Sequence, residues 1–174
     1  MYLTQQIKNS SYGVIFLGTS IALFGLLFGI TYAAGIHVDL ASVPGGAAPA
    51  ATGEAKIALE GTVLTGKVKA EKLPPQLFGS GHFYGVWFVR TDTGDKAFLG
   101  ALANEGSIIF SDGGNGEMRF RATGFTTGPN AGSPITLGPA GVNLVVVLVE
   151  DTINGLTPSP VGGLPAAIAV AGAF

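Results

Sequence analysis

The chain has 174 residues, 9 Lys/Arg against 11 Asp/Glu, a formal net charge of −2 and no cysteine. Without cysteine, disulfides, thiol nucleophiles, iron–sulfur centres and c-type haem attachment are excluded together. The charge balance, with no run of basic residues, argues against a nucleic-acid partner, and the length leaves room for one modest domain beside a short extra segment.

Met1–Ser11 carries a single charge, Lys8, and no interaction motif. The next 28 positions, Asn9–Ile36 (overlapping that tail), hold no charged side chain. Their apolar core, Tyr12 to Ala34, is long enough for about 34 Å of helix, which crosses a bilayer. A transmembrane helix over residues 12–36 is therefore expected. A cleaved leader is the competing reading, because Lys8 precedes the run and Thr31-Tyr32-Ala33 is a loose small-x-small site. Leader cores of roughly 7–15 residues are shorter than this run, which favours a retained anchor.

Lys8 on one side of the run and Asp39 on the other place the N-terminus in the cytoplasm. The rest is then periplasmic or extracellular, held at the cell membrane by one crossing. Gly18, Ala22, Gly25, Gly29 and Ala33 recur at helical spacing on one side of the run. Small residues so arranged let helix backbones approach closely. They imply packing against membrane protein subunits or a second copy, within the lipid bilayer.

Residues 37–54, rich in Pro, Gly and Ala, read as a linker, and 55–174 as a β-domain. Ile57–Leu64 and Lys67–Glu71 have strand character, and Pro74-Pro75 ends regular pairing. His82–Arg90 is apolar on both faces: Phe83, Gly85, Trp87 and Val89 on one, Tyr84, Val86 and Phe88 on the other. A turn at Thr91–Asp95 leads to a strand at Lys96–Ala101, and Ser107–Phe110 is a short strand. After a turn at Asp112–Gly116, Glu117–Ala122 alternates, with Met118, Phe120 and Ala122 inward. Pro134–Leu137 is a weak strand, Asn143–Glu150 is nearly continuous in apolar residues, and Ala167–Ala171 closes the series. Short strands about ten residues apart predict an all-β sandwich of immunoglobulin-like architecture, its strand order left open. Trp87, Phe88, Phe120, Val145, Val147 and Val149 are its expected shared core.

Phe83-Tyr84-Gly85-Val86-Trp87-Phe88-Val89, Lys96-Ala97-Phe98-Leu99-Gly100, Val145–Glu150 and Asn154–Pro160 carry a family pattern. Over residues 83–171 the chain resembles the extracytoplasmic domain of the anti-sigma-K factor family. The resemblance implies a regulatory or sensory role. The cytoplasmic helical domain that grips a sigma factor in that family has no counterpart in Met1–Ser11, and no site residue carries over.

No catalytic, cofactor or metal site emerges. His37 and His82 do not make a ligand set. Asp92, Asp95, Asp112 and Glu117 lack the dense oxygen-ligand spacing of a calcium loop and read as turn chemistry. Glu150-Asp151 specifies no acid–base pair, and Gly79-Ser80-Gly81-His82 is not a nucleophile elbow. Gly113-Gly114-Asn115-Gly116 lacks the Lys-Ser/Thr of a phosphate loop. The expected function is a non-catalytic, membrane-anchored accessory or structural subunit without cofactor, making protein contacts through its helix and external domain. A regulatory relative of anti-sigma factors and an extracytoplasmic ligand-binding module are the alternatives.

Overall fold

The first strand lies where a linker was expected. Ile36–Ser42 (β1) alternates Val38 and Leu40 inward with His37, Asp39 and Ala41 outward. The computed structural model describes residues 35–75, 82–108, 113–150 and 167–174. Within them seven further strands follow: β2 Thr52–Glu60, β3 Val63–Leu73, β4 Phe83–Arg90, β5 Lys96–Ala101, β6 Gly114–Ala122, β7 Asn143–Glu150 and β8 Ile168–Ala173.

All eight form one antiparallel sheet in the order β5-β4-β7-β8-β1-β2-β3-β6. The sheet curls until its outer strands meet. Beyond the end of β5, Ala103 and Glu117 exchange backbone hydrogen bonds of 3.1 and 2.9 Å. Beyond the end of β6, Thr126 and Thr127 donate their amides to the Lys96 carbonyl, and Lys96 donates to Thr127. The result is a nearly closed eight-stranded barrel, which leaves almost no free edge.

Alternation fills the interior. Leu64, Val68 and Ala70 of β3, Tyr84, Val86 and Phe88 of β4, and Val145, Val147 and Val149 of β7 meet in one buried cluster with Phe120. Each larger side chain stabilises by about 1.5–3 kcal/mol on burial. The Phe88 ring lies 6.2 Å from both Phe125 and Phe174. Gly66 is required here: a Cβ would strike the Lys56 carbonyl and the Phe120 ring, which occupies that space. Gly61, at φ 63°, makes the tight β2–β3 turn and splits the stretch Ile57–Leu64 that had been read as one strand.

These observations correct several expectations. A sandwich of two sheets is replaced by one sheet nearly closed on itself, because isolated bridges join Ala103 to Glu117 of β6 and Lys96 of β5 to Thr127. Trp87 leaves the shared core: with Val146 and Leu148 it forms a second cluster on the outer face of β4 and β7. It packs on Phe98 at 5.0 Å between ring centroids. The Pro/Gly/Ala-rich segment supplies β1 and the start of β2. Pro134 makes only an isolated bridge, to Gly124.

Most of the expected membrane helix, with Gly18, Ala22, Gly25, Gly29 and Ala33, lies outside the described residues, and its last residue, Ile36, is in β1. Among the described residues there is no helix, and hence none long and apolar enough to cross a membrane. The helix-plus-sandwich architecture therefore fails. With it goes the basis for the membrane-anchored subunit, its helix-mediated partners in the lipid bilayer, and the single-pass localisation.

Candidate functional site

The barrel's closing bridge forms the floor of a polar cleft. One wall comes from an irregularity between β3 and β6. Their register runs from Ala70↔Gly116 to Leu73↔Gly114, so Glu71 and Lys72 together oppose Asn115. Two residues against one make a β-bulge, which bends the strand and re-aims its side chains. Lys72 takes φ 56°, rare for a residue with a Cβ, and its amide donates to Asn115 Oδ1 at 3.3 Å.

The opposite wall is a tight turn. Asn104 and Ser107 exchange backbone hydrogen bonds of 2.8 and 2.9 Å, with Glu105 at φ 49° and Gly106 at φ 85° between them. Two consecutive positive φ values define the hairpin geometry that suits twisted strands. Gly106 adopts it freely and Glu105 with strain. The Asn104 side-chain nitrogen lies over Gly114, 3.5 Å from where a Cβ would stand.

Between the walls is a space of about 210 Å³, lined by Lys69, Glu71, Asn104, Glu105, Asn115 and Glu117 over a floor of Ala70, Ala103 and Gly116. The lining offers three carboxylates, two amides and one ammonium. Among the described residues it contains no histidine, hydroxyl or thiol. The Glu117 carboxyl is held below its ordinary range chiefly by its hydrogen bond from Lys67, at 2.7 Å, against the opposing effect of burial and with help from nearby Lys69 and Arg119. A second polar hollow, lined by Asp39, Thr52, Gly53 and Glu54, shares Lys69 and Glu71 with the first. The cleft can therefore exchange hydrogen bonds and balance charge.

The residues weighed from the sequence fall mostly elsewhere. His37 pairs with Asp39 at 3.3 Å and approaches Glu54 at 3.9 Å on the outer face of β1 and β2. No group of three His, Cys, Asp or Glu able to hold a metal occurs among the described residues. Asp92 receives two hydrogen bonds from Arg90, at 3.1 and 2.5 Å, which lower its pKa. Asp95 is fully buried and accepts from the Asn130 amide and its side-chain Nδ2, both at 2.7 Å. Burial works to raise its pKa, yet the hydrogen bonds from Asn130 and Thr93, with the attraction of Arg90, bring it below the ordinary value. Glu150, buried on the outer face, accepts from Trp87 Nε1. Asp112, Asp151 and Gly79–Gly81 lie outside the described residues.

Among the described residues, only Glu117, Asn115 and Gly116 of those earlier candidates reach the cleft, and Gly114 and Asn115 open β6 where a turn was expected. Glu71, Asn104 and Glu105 were missed. The local signals were the polar alternation of Lys67–Glu71 and the glycine in Asn104-Glu105-Gly106, which mark a strand face and a turn without saying that they meet. Comparison with protein-family models, curated proteins and solved structures finds no match. The anti-sigma-K resemblance thus rests on the residues quoted for it.

Proposed function

We propose that this barrel is a non-catalytic binding domain that takes a small polar ligand in the cleft between the β3–β6 bulge and the Asn104–Ser107 turn. One observation carries the reading. Of the two residues other than glycine with positive φ among those described, Glu105 lines the cleft, and Lys72 follows the lining residue Glu71 on the opposite wall and donates its amide to the lining residue Asn115. Strained backbone costs about 1–3 kcal/mol per residue and collects where a site must be shaped. The lining completes the argument: acceptors on Glu71 and Glu105, donors on Asn104 and Asn115, and the Lys69 ammonium surround a space of about 210 Å³, smaller than a drug-sized pocket and suited to a small polar molecule.

The test is an NMR titration of the ¹⁵N-labelled protein with amino acids, dipeptides, polyamines and monosaccharides. At least one class is expected to move the amides of Lys72, Asn104, Glu105 and Asn115 together, and Glu105→Gln with Asn115→Ala is expected to abolish the movement. Spectra unmoved by every class at millimolar concentration, or shifts confined to other surfaces, would refute the reading.

A further inference from the structure

The pairing register sets like charges side by side on the outer face of β2, β3 and β6. Lys56 stands opposite Lys67, and Lys67 opposite Arg119. Arg121 follows Arg119 two residues along β6 and shares its face. Like charges directly opposite each other destabilise a sheet. The adjacent row obeys that rule, since Glu54, Lys69 and Glu117 alternate in sign. Lys67 is satisfied by Glu117 at 2.7 Å. Lys56, Arg119 and Arg121 are exposed and, among the described residues, take part in no ion pair. A basic row kept at a cost to the sheet, with three of its cations exposed and, among the described residues, in no ion pair, marks a surface that serves something outside the fold.

We propose that Lys56, Arg119 and Arg121 form a docking surface for an extended, acidic polypeptide segment of a partner protein. Alternate side chains of an extended chain recur at about 6.8 Å, the separation of Arg119 and Arg121 along β6. Lys56 lies two strands away, about 10 Å across the sheet, within reach of a third carboxylate. The guanidinium fork of each arginine can donate two parallel hydrogen bonds to a carboxylate. The outer barrel wall is convex, so a flexible segment can follow it where a rigid surface would touch one strand. Broad polyanions are disfavoured: a nucleic-acid duplex or an anionic membrane would press phosphates against Glu54, Glu60 and Glu117, which border the basic row. Arg119 and Arg121 do not line the cleft, so this surface and the small-ligand reading stand or fall separately.

The experiment is fluorescence anisotropy of the full chain with a labelled peptide of alternating glutamate and serine. An oligonucleotide duplex and anionic phosphatidylserine vesicles serve as parallel probes. Peptide binding is expected to weaken roughly tenfold or more in Arg119→Glu/Arg121→Glu, and to fall steeply between about 20 and 300 mM salt. The milder Arg119→Gln/Arg121→Gln, checked for an unchanged melting curve, is expected to show a smaller loss in the same direction. Absence of peptide binding at low salt, equal binding by the folded variants, or preference for the duplex or the vesicles would overturn the proposal.

Discussion

Asn143 binds more of the chain than any motif suggested. Its Nδ2 is within hydrogen-bond distance of the carbonyls of Gly138, Pro139 and Phe174, at 3.1, 3.2 and 3.2 Å, while its Oδ1 accepts from the Gly138 amide at 2.8 Å. The residue is buried. Asn143→Ala strands these backbone groups, and a loss of about 2–3 kcal/mol in unfolding free energy is expected from urea denaturation. Asp95 gives a pH signature. Its folded pKa is depressed, so the unfolded state binds the proton more readily. Its stabilisation is complete above the ordinary carboxylate range, near pH 4, and is lost as pH falls through the depressed folded value. Between pH 7 and pH 3 the wild type is expected to lose more stability than Asp95→Asn, measured as the shift in denaturation midpoint. An equal loss in both would remove Asp95 from the acid transition. Neither role was legible in the sequence. Asp95 reads as turn chemistry because it sits in Thr91–Asp95, while its partner Asn130 lies 35 residues away.

At the scale of elements, β4, β5 and β7 were legible because aromatic and β-branched residues crowd them between clear turns. β1 was not, since it emerges from an uncharged run into a Pro/Gly/Ala-rich one and shows only Val38 and Leu40 as its inward pair. Trp87 shows the limit of face assignment. Period-2 alternation separates Trp87 from Phe88, but both faces of β4 are buried, so the pattern alone does not tell which looks into the barrel. The structure places Trp87 outside, donating to Glu150. Trp87→Ala is expected to cost about 3–5 kcal/mol as a large-to-small change. Trp87→Phe keeps most of the volume but removes the donor to a buried carboxylate, and about 1–3 kcal/mol is expected. Calorimetric or denaturant melts of the two variants separate packing from hydrogen bonding.

For the whole molecule, all-β character was readable from strand length and turn spacing, but the choice between two sheets and one closed sheet was not. Alternation reports which side of a strand is buried, and a sandwich and a barrel bury the same side. The choice depends on long-range pairing, above all Ala41↔Ala171 between β1 and β8 and the bridge Ala103↔Glu117. The cleft shares that difficulty, since it joins Glu71, Asn104 and Asn115 from three separate segments. The basic row is likewise a product of register: Lys56, Lys67 and Arg119 are scattered in the chain and become neighbours only when β2, β3 and β6 pair.

Closure at Ala103 and Glu117 builds the barrel and floors the cleft, so it bears most of the account. Nuclear Overhauser contacts in a ¹⁵N-edited spectrum test it directly. A closed barrel gives an amide–amide contact between Ala103 and Glu117, as their mutual hydrogen bonds require, together with cross-strand contacts at the β1–β8 junction. Absence of both, with the β2–β3 and β4–β5 hairpin contacts intact, would mean separate sheets and contradict it.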